Sequence, residues 1–274
     1  MLIINLTTTS NRLELCSATL WSLVNQNFSD YVIKLWISKD SYLSDEGIKE
    51  QLVFVDQLNK FRSIIEVKIT PNTGPYRKLL PCLRECSDND LIVYVDDDVI
   101  YGPDWLKILL TEFVDNDSQY VVASRCREYK KNIFGKLKSY RFSKIVTNKK
   151  VLKENFIITG VGGVILKKSL IDKKYIHMDD YLDLAPKTDD VWFTKLFMLS
   201  KTCVIACPEA MTHIYELSHN NHSLCSQNTV AKSSFSKLGF LMKMWSYSLA
   251  YLGLSVTNND YSRQKVDHFF QDKV

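Results

Sequence analysis

Three adjacent aspartates, Asp96, Asp97 and Asp98, follow an apolar run and precede a turn and a helical segment. Carboxylates crowded at the end of a buried strand repel one another and lower stability unless a cation neutralises them. In an extended chain Asp96 and Asp98 point the same way and Asp97 points the opposite way. Two oxygen ligands on one side suit Mg²⁺ or Mn²⁺ bridging a diphosphate. The alternative, a solvated acidic turn that caps the next helix, is disfavoured by the five apolar residues before it.

A second pair of carboxylates, Asp189 and Asp190, stands at the start of a predicted helix whose apolar positions include Phe193, Leu196 and Phe197. The partial positive charge at a helix N-terminus keeps a carboxylate ionised, so the group can accept a proton. One of the two aspartates could instead be a simple N-cap. The sequence therefore contains a candidate cation site and a candidate general base.

Strand-like and helix-like segments alternate over the first 125 residues, and these elements must position the carboxylates. The predicted strands are 2–6, 31–38, 64–69, 91–95 and 120–124, and the predicted helices are 13–23, 44–61, 75–86 and 103–115. This alternation predicts an α/β fold with a mostly parallel central sheet flanked by helices. Ligands bind such sheets at the carboxyl ends of the strands, where the three aspartates fall.

The second half of the chain is less regular. Its predicted elements are a glycine-rich turn at 160–163, strands at 164–167 and 203–206, a helix at 189–200 and an apolar segment at 237–256. The apolar segment nearly reaches membrane-spanning length, but a lysine, serines and two glycines interrupt it. We therefore expect an interfacial amphipathic helix or a helix packed on the domain.

Composition and charge limit the class of protein. The 274 residues, 46% hydrophobic and 24% charged, are typical of a soluble globular chain with one large α/β domain and a C-terminal appendage. A net charge of +4 without a recognised motif argues against a nucleic-acid partner. Seven cysteines and no secretory signal indicate reduced thiols and a cytoplasmic protein. The basic segment 125–153 suits anionic lipid headgroups or a lipid-diphosphate-linked acceptor, with a solvated loop as the alternative.

These motifs, in this order and spacing, resemble a GT-A fold glycosyltransferase, most closely the inverting family 2 enzymes of bacterial surface polysaccharide (O-antigen, capsule or lipopolysaccharide) synthesis. The resemblance covers about residues 1–210. The segment 5–26 resembles the family's first strand and helix, and VDDDV resembles its DXD motif. The other matched segments are NTGPYRKLLPCL, which precedes the DXD motif, GVGGVILKKSL, the acceptor-side turn, and KTDDVWF, the catalytic ED/TED motif.

The resemblance implies a role for each matched position. Asp96 and Asp98 would hold the divalent cation, Mn²⁺ or Mg²⁺, and Asp190 would be the general base. Asp189 replaces the motif's glutamate, which leaves the choice between the two aspartates open. The residues expected to contact the nucleotide-sugar donor are Thr7, Thr8, Arg12, Asp40, Lys78, Asp96 and Asp97. The residues expected on the acceptor side are Gly162, Gly163 and Trp192, the last stacked on a sugar ring.

Several of these positions have a plainer alternative. His213 is the candidate third ligand of the cation, with His219 and His222 as rivals, although a loop histidine is commonly just solvated. Asp40 could be a plain turn aspartate. Likewise, Lys78 could be a solvated helix lysine and Trp192 a core residue.

The resemblance implies transfer of a hexose from a UDP-sugar, with inversion, to a hydroxyl of a saccharide or an undecaprenyl-diphosphate-linked acceptor. Residues 1–125 would bind the nucleotide sugar, 126–228 would bind the acceptor and carry the base, and 229–274 would form a helical tail in peripheral contact with the inner membrane. One alternative is a retaining GT-A transferase, which would share the DXD motif but would not need Asp190 as a base. A nucleotidyltransferase is expected to have a glycine-rich, basic loop directly after the first strand. This reading is disfavoured because TTTSNR, the segment at that place, has no glycine. A non-catalytic sugar- or lipid-binding scaffold is the alternative from another class.

Overall fold

A computed structural model describes residues 1–217 and 245–271. Residues 218–244 lie outside this description, and with them the predicted rival ligands His219 and His222 and the first part of the predicted apolar segment. The strands are β1 (Leu2–Thr7), β2 (Val32–Ile37), β3 (Ile65–Ile69), β4 (Leu91–Tyr94), β5 (Val99–Tyr101), β6 (Val121–Ala123), β7 (Cys126–Glu128), β8 (Lys144–Ile145), β9 (Lys150–Leu152), β10 (Phe156–Ile158), β11 (Val164–Lys167), β12 (Val204–Ala206) and β13 (Ile214–Glu216). The helices are α1 (Leu13–Val24), α2 (Val53–Phe61), α3 (Leu80–Glu85), α4 (Trp105–Asp115), α5 (Lys173–Ile176), α6 (Tyr181–Leu184), α7 (Asp189–Leu199), α8 (Pro208–Met211) and α9 (Asn258–Gln271).

The central sheet of the described chain has eight strands in the order β3-β2-β1-β4-β11-β6-β12-β9. The pairs β1–β2, β2–β3, β1–β4 and β6–β12 are parallel, whereas β11 runs antiparallel between β4 and β6, and β9 is antiparallel to β12. The predicted α/β class, with a mostly parallel sheet and a helical C-terminal region, is confirmed. Because β1 and β4 are central, their carboxyl ends lie side by side at one edge.

The sheet separates two hydrophobic cores. Along β1, Ile3 faces one core and Ile4 faces the other, as the alternation of side chains in a strand requires. Helices α1 and α4 cover the core that contains Ile4, and α7 and α9 cover the core that contains Ile3. The two layers of helices hold the strand ends, and therefore the loops that follow them, in fixed positions.

Two predicted helices are longer than the helices observed at those positions. The helix expected at 44–61 is limited to α2, because Asp45 accepts backbone N–H bonds from Ser10 and Gly47 in a preceding loop. A positive φ of 83° at Gly47 fits that loop rather than a helix. The helix expected at 75–86 divides into a 3₁₀ turn at Gly74–Lys78 and the short α3. The other predicted strands and helices that lie wholly within the described residues are within about two residues of their observed bounds.

The C-terminal helix α9 packs on the outer face of α7. Phe270 lies 5.6 Å from the ring of Trp192, and Lys195 pairs with Asp267 at 2.6 Å. Buried Asp260, at the start of α9, accepts hydrogen bonds from the side chain of Ser139 and from nearby backbone. Residues 245–251 are also helical. Within 1–217 and 245–271, none of the helices has the length and the apolar character needed to cross a membrane.

Candidate active site

Both carboxylate clusters open into one cavity of about 430 Å³. The loops after β1 and β4, the 3₁₀ turn at Gly74–Lys78 and the start of α7 line it. The turn at 159–161 and part of the basic segment complete the lining. Residues predicted to lie at strand ends and at the start of a helix are therefore found together in the lining of this cavity.

The three aspartates after β4 divide into one buried and two partly exposed carboxylates. Asp97 turns inward, where the Thr8 hydroxyl donates to it at 2.6 Å and the Arg12 guanidinium pairs with it at 2.6 Å. Burial, opposed by Arg12, raises the pKa of Asp97 to about 6. The side chains of Asp96 and Asp98 are 29% and 21% exposed and both line the cavity. The segment is a bend rather than an extended strand, and Asp97 and Asp98 share the Arg12 guanidinium, so the two carboxylates do not point in opposite directions.

Lys78 joins the two carboxylate clusters. Its Nζ lies 2.6 Å from Oδ1 of Asp96 and 2.7 Å from Oδ2 of Asp189. Burial alone would lower the pKa of Lys78, but Asp189 and Asp96 together raise it well above its ordinary value. The ammonium therefore stays protonated at the junction between the loop after β4 and the start of α7. A solvated helix lysine is thus the wrong reading of this position, since Lys78 is buried.

The close approach in the glycine-rich turn is made by Gly160. A Cβ atom there would lie 2.6 Å from Nζ of Lys78 and 3.0 Å from Oδ1 of Asp96. The Gly160 N–H donates to Oδ1 of Asp190 at 3.0 Å. Only a residue without a side chain leaves room for the lysine and both aspartates.

Asp190 lines the cavity with its carboxyl in a poorly solvated position. Burial, and then the neighbouring Asp189, raise the pKa of Asp190 to about 8. Burial and the like charge of Asp189 therefore oppose the helix dipole, which was expected to keep this carboxyl ionised. A carboxylate with such a pKa is a stronger base than a solvated aspartate once it is ionised.

The fit of a divalent cation can be tested on the chemistry of the two exposed aspartates. The carboxylate of Asp96 forms an ion pair with Lys78, and the carboxylate of Asp98 forms one with Arg12 at 2.8 Å. In the described ranges no three His, Cys, Asp or Glu side chains form a cluster able to hold a metal ion. Two carboxylates are still enough for Mg²⁺ or Mn²⁺ when substrate phosphates and water complete the coordination. The residues present thus fit a cation that binds together with a diphosphate.

Comparison with known proteins decides the family. The pattern described as glycosyl transferase family 2 matches residues 6–173, which is more than half of the chain. The chain belongs to glycosyl transferase family 2. A search of curated proteins finds no match.

One solved structure shares the fold of this family 2 chain, and two others are less similar to it. S. aureus TarS 1-349 in complex with UDP-GlcNAc superposes with a TM-score of 0.53 at 14% identity, over 98% of this chain and 72% of TarS. Another structure of S. aureus TarS 1-349 has a TM-score of 0.47 at 16% identity, and the chain spans 57% of its length. A 4-diphosphocytidyl-2C-methyl-D-erythritol synthase has a TM-score of 0.37 at 9% identity, over 64% of this chain and 78% of the synthase. At 14% identity the likeness to the UDP-GlcNAc complex of TarS concerns the fold alone.

His213 does not join the predicted cation site of the family 2 chain. The strand β13 pairs antiparallel with β5, so the Leu217 N–H donates to the carbonyl of Asp98 while His213 packs against Gly102. Four residues of strand, roughly 13 Å, separate Gly102 from Asp98. His213 also lies outside the cavity lining. Its assignment as a ligand is therefore wrong.

Three predicted acceptor contacts also need correction. Trp192, a residue of α7, is fully buried, and its ring lies 5.6 Å from that of Phe270. It therefore cannot stack on a sugar. Gly163 has a φ of 81°, and a Cβ there would lie 2.1 Å from the ring of Trp105. The carbonyl of Gly162 accepts a hydrogen bond from Trp105 Nε1 at 2.9 Å. Both glycines shape the turn and neither lines the cavity.

The residue that sequence reasoning missed on the nucleotide side is Asp45. The predicted contact Asp40 is exposed and lies outside the cavity lining, with its carbonyl bound by Asn72. Asp45 instead lines the cavity, buried and paired with Arg77 at 2.8 Å. Backbone N–H groups, then Arg77, overcome the effect of burial and lower the pKa of Asp45. The sequence signal that could have pointed to Asp45 was its ion-pair partner Arg77, which directly precedes Lys78.

Part of the basic segment lines the cavity. Arg125, Arg127, Tyr140 and Arg141 line it, and Arg125 pairs with Glu216 at 2.7 Å. The start of α9 contributes Thr257 and Asn259 to the same lining. The basic character of this segment is visible in the sequence, but the position of these arginines in the cavity is not.

Proposed function

We propose that the chain transfers a sugar from a nucleoside diphosphate donor, a UDP-hexose, to a hydroxyl of an acceptor, with inversion at the anomeric carbon. The observation that carries the proposal is the junction at Lys78, which brings the DXD carboxylate Asp96 and the base-side carboxylate Asp189 to one ammonium in one cavity. Transfer with inversion needs such a pair of regions, one for the leaving diphosphate and one for deprotonating the acceptor.

The donor would occupy the side of the cavity formed by the ends of β1 and β4. Thr7 ends β1 and Thr8 follows it there, and the pair formed by Asp45 and Arg77 lies beside them. Hydrogen-bonding groups of this kind suit a nucleoside, and Arg12 suits the nearby phosphates. TarS, which shares the fold, is crystallised with UDP-GlcNAc, and this supports a UDP-sugar donor.

Asp96 and Asp98 would hold Mn²⁺ or Mg²⁺ together with the donor diphosphate. When bound, the cation offsets the charge that develops on the leaving phosphate oxygen. Lys78 and Arg12 already bind these two carboxylates, and they orient them towards the cavity. Their positive charge also favours the leaving group as its bond to the sugar breaks.

Asp190 would take the proton of the acceptor hydroxyl. The acceptor oxygen forms a bond to the anomeric carbon, the bond from that carbon to the diphosphate breaks, and the proton passes to the Asp190 carboxylate. The Gly160 N–H fixes one oxygen of Asp190, and Lys78 holds Asp189. This division of contacts favours Asp190 over Asp189 as the base.

The acceptor would lie against the basic side of the cavity. Among the described residues, Arg127, Arg141 and Lys187 line the cavity without a carboxylate partner within ion-pair distance. Cations placed in this way favour an acceptor that carries negative charge. An acceptor linked to undecaprenyl diphosphate has that charge, and this supports a role in bacterial surface polysaccharide synthesis.

The first test measures nucleoside diphosphate release from UDP-, GDP- and dTDP-sugars with and without Mn²⁺. We expect UDP release from one sugar to require the metal and to be lost in Asp98→Ala. The control is Asp40→Ala, because Asp40 is an exposed aspartate outside the cavity. Product anomers read by NMR test inversion. Transfer that needs no divalent metal would contradict the assigned roles of Asp96 and Asp98, and donor binding without any transfer would favour a scaffold.

A further inference from the structure

The turn at 131–137 and the segment 245–254 lie side by side on the protein surface. The Ser139 N–H donates to the carbonyl of Ala250 at 2.9 Å, and Nδ2 of Asn132 donates to the carbonyl of Tyr251 at 3.3 Å. Gly253 fits directly against the carbonyl of Leu137, where a Cβ would lie 2.4 Å away. These contacts combine two segments, distant in sequence, into one surface. We call it the aromatic–basic patch; its exposed apolar residues are Ile133, Phe134, Trp245, Tyr247, Leu252 and Leu254.

Three apolar side chains of the patch are largely exposed. Ile133 is 79% exposed, Phe134 68% and Trp245 69%. Single exposed apolar residues are common, but a cluster on two adjoining segments is typical of a binding surface. The apolar area therefore calls for a partner that can cover it.

The tip that carries Ile133 and Phe134 is held in shape by its own hydrogen bonds. The side chain of buried Asn132 accepts from the N–H groups of Phe134 at 2.9 Å and Lys136 at 3.0 Å. Lys131 and Leu137 form a β-bridge across its base. The turn thus presents two apolar side chains to solvent from a structured base, which reduces the entropy lost on binding.

The charge around these side chains is positive. Lys131 and Lys136 are exposed and, within the described residues, have no carboxylate at ion-pair distance. Lys138 lies 4.2 Å from the ring centre of Tyr251, and Arg141 lies 3.8 Å from that of Tyr247. Aromatic rings surrounded by lysine and arginine suit the headgroup region of a bilayer that contains anionic lipids.

We propose that the aromatic–basic patch docks the protein onto an anionic phospholipid bilayer, with Ile133 and Phe134 entering the headgroup region. This inference goes beyond the proposed function, since docking requires no transfer. Arg141 belongs to both surfaces, because it lines the cavity and stacks on Tyr247 of the patch. Docking would therefore bring the basic side of the cavity close to the lipid surface.

The test is flotation of the full chain with vesicles of phosphatidylcholine alone and of phosphatidylcholine mixed with an equal part of phosphatidylglycerol. We expect binding to the anionic vesicles, weakened about tenfold in Phe134→Ser and about tenfold or more in Lys131→Glu/Lys136→Glu. The matched controls are Phe61→Ser, a 64% exposed phenylalanine on α2, and Lys49→Glu/Lys60→Glu, which reverse two other exposed lysines. Both controls should float like the unmodified chain. Thermal melting verifies that each variant is folded.

Several results would overturn the proposal. Equal flotation with both vesicle types, or no flotation with either, removes the anionic bilayer as the partner. Equal loss in the Phe61→Ser control assigns the effect to general surface hydrophobicity. Sedimentation that shows dimers dispersed by Phe134→Ser, in a chain that does not float, assigns the patch to a second copy. The assay uses no sugar nucleotide, so its result is independent of whether transfer is detected.

Discussion

Replacing Asp190 by asparagine should stabilise the protein while it abolishes most of the transfer. The side chain keeps its shape, and its Oδ1 can still accept the N–H of Gly160, which now binds Asp190 at 3.0 Å. What disappears is a titratable carboxyl whose pKa burial, and then Asp189, raise from 3.8 to about 8. Such a group ionises far more readily in the unfolded chain than in the folded one.

The magnitude follows from the linkage between protonation and folding. Below pH 3.8 the Asp190 carboxyl is protonated in both states and has no effect on stability. As the pH rises towards 8, the unfolded state loses the proton first, so the folded state becomes relatively less stable. Between pH 3.8 and 7 this amounts to about 4 kcal/mol at about 1.4 kcal/mol per pH unit. Partial solvent exposure reduces it, and we expect about 2 kcal/mol.

Asp190→Asn should therefore melt about 4–8 °C higher than the unmodified chain at pH 7, and the difference should vanish near pH 4. Its transfer rate should fall by about 10²–10⁴-fold through loss of the base. In the unmodified chain the rate should rise with pH and level off above about 8. Calorimetry across this pH range and UDP-release kinetics provide the measurements. A variant that melts lower at pH 7, or one that transfers at the normal rate as a retaining enzyme would, refutes the reasoning.

Three further predictions concern other parts of the site. Gly160→Ala adds a methyl group 2.6 Å from Nζ of Lys78, so we expect kcat to fall about 10²-fold with an unchanged melting temperature; normal turnover would contradict the tight approach. Arg77→Leu strands buried Asp45 and should lower the free energy of unfolding in urea by about 3–5 kcal/mol; an unchanged midpoint would show that the ion pair is dispensable. Trp192→Phe should lower stability by about 1–3 kcal/mol but leave the acceptor KM unchanged, whereas a raised KM would restore the sugar-stacking role.

Local sequence patterns predicted the centre of the site. The apolar runs of β1 and β4 are buried on both faces, so their character is visible without tertiary information. The three aspartates directly follow β4, and the two at the start of α7 directly follow a helix start signal. Because these residues are fixed by the ends of the elements that precede or contain them, their positions follow from the chain alone.

Contacts between distant segments account for the failures. Asp45 is tied into a loop by Arg77, 32 residues away, so its start-of-helix pattern is overridden. His213 is carried away from Asp98 by the pairing of β13 with β5, which no local pattern announces. Trp192 could have been assigned to the core, since it stands between two other apolar residues of α7, Val191 and Phe193, and all three are buried.

The order of strands in the sheet has a consequence for synthesis on the ribosome. Strands β1 to β4 are complete by Tyr94, yet the free edge of β4 is covered only by β11, which begins at Val164. At about 5–20 residues per second, the ribosome needs roughly 4–14 s to make the intervening 70 residues. Throughout that interval the nascent chain exposes an unpaired apolar strand edge, the kind of surface that chaperones bind and that promotes aggregation. A fragment that ends near residue 125 would retain that edge permanently, so we expect it to be insoluble when it is produced alone.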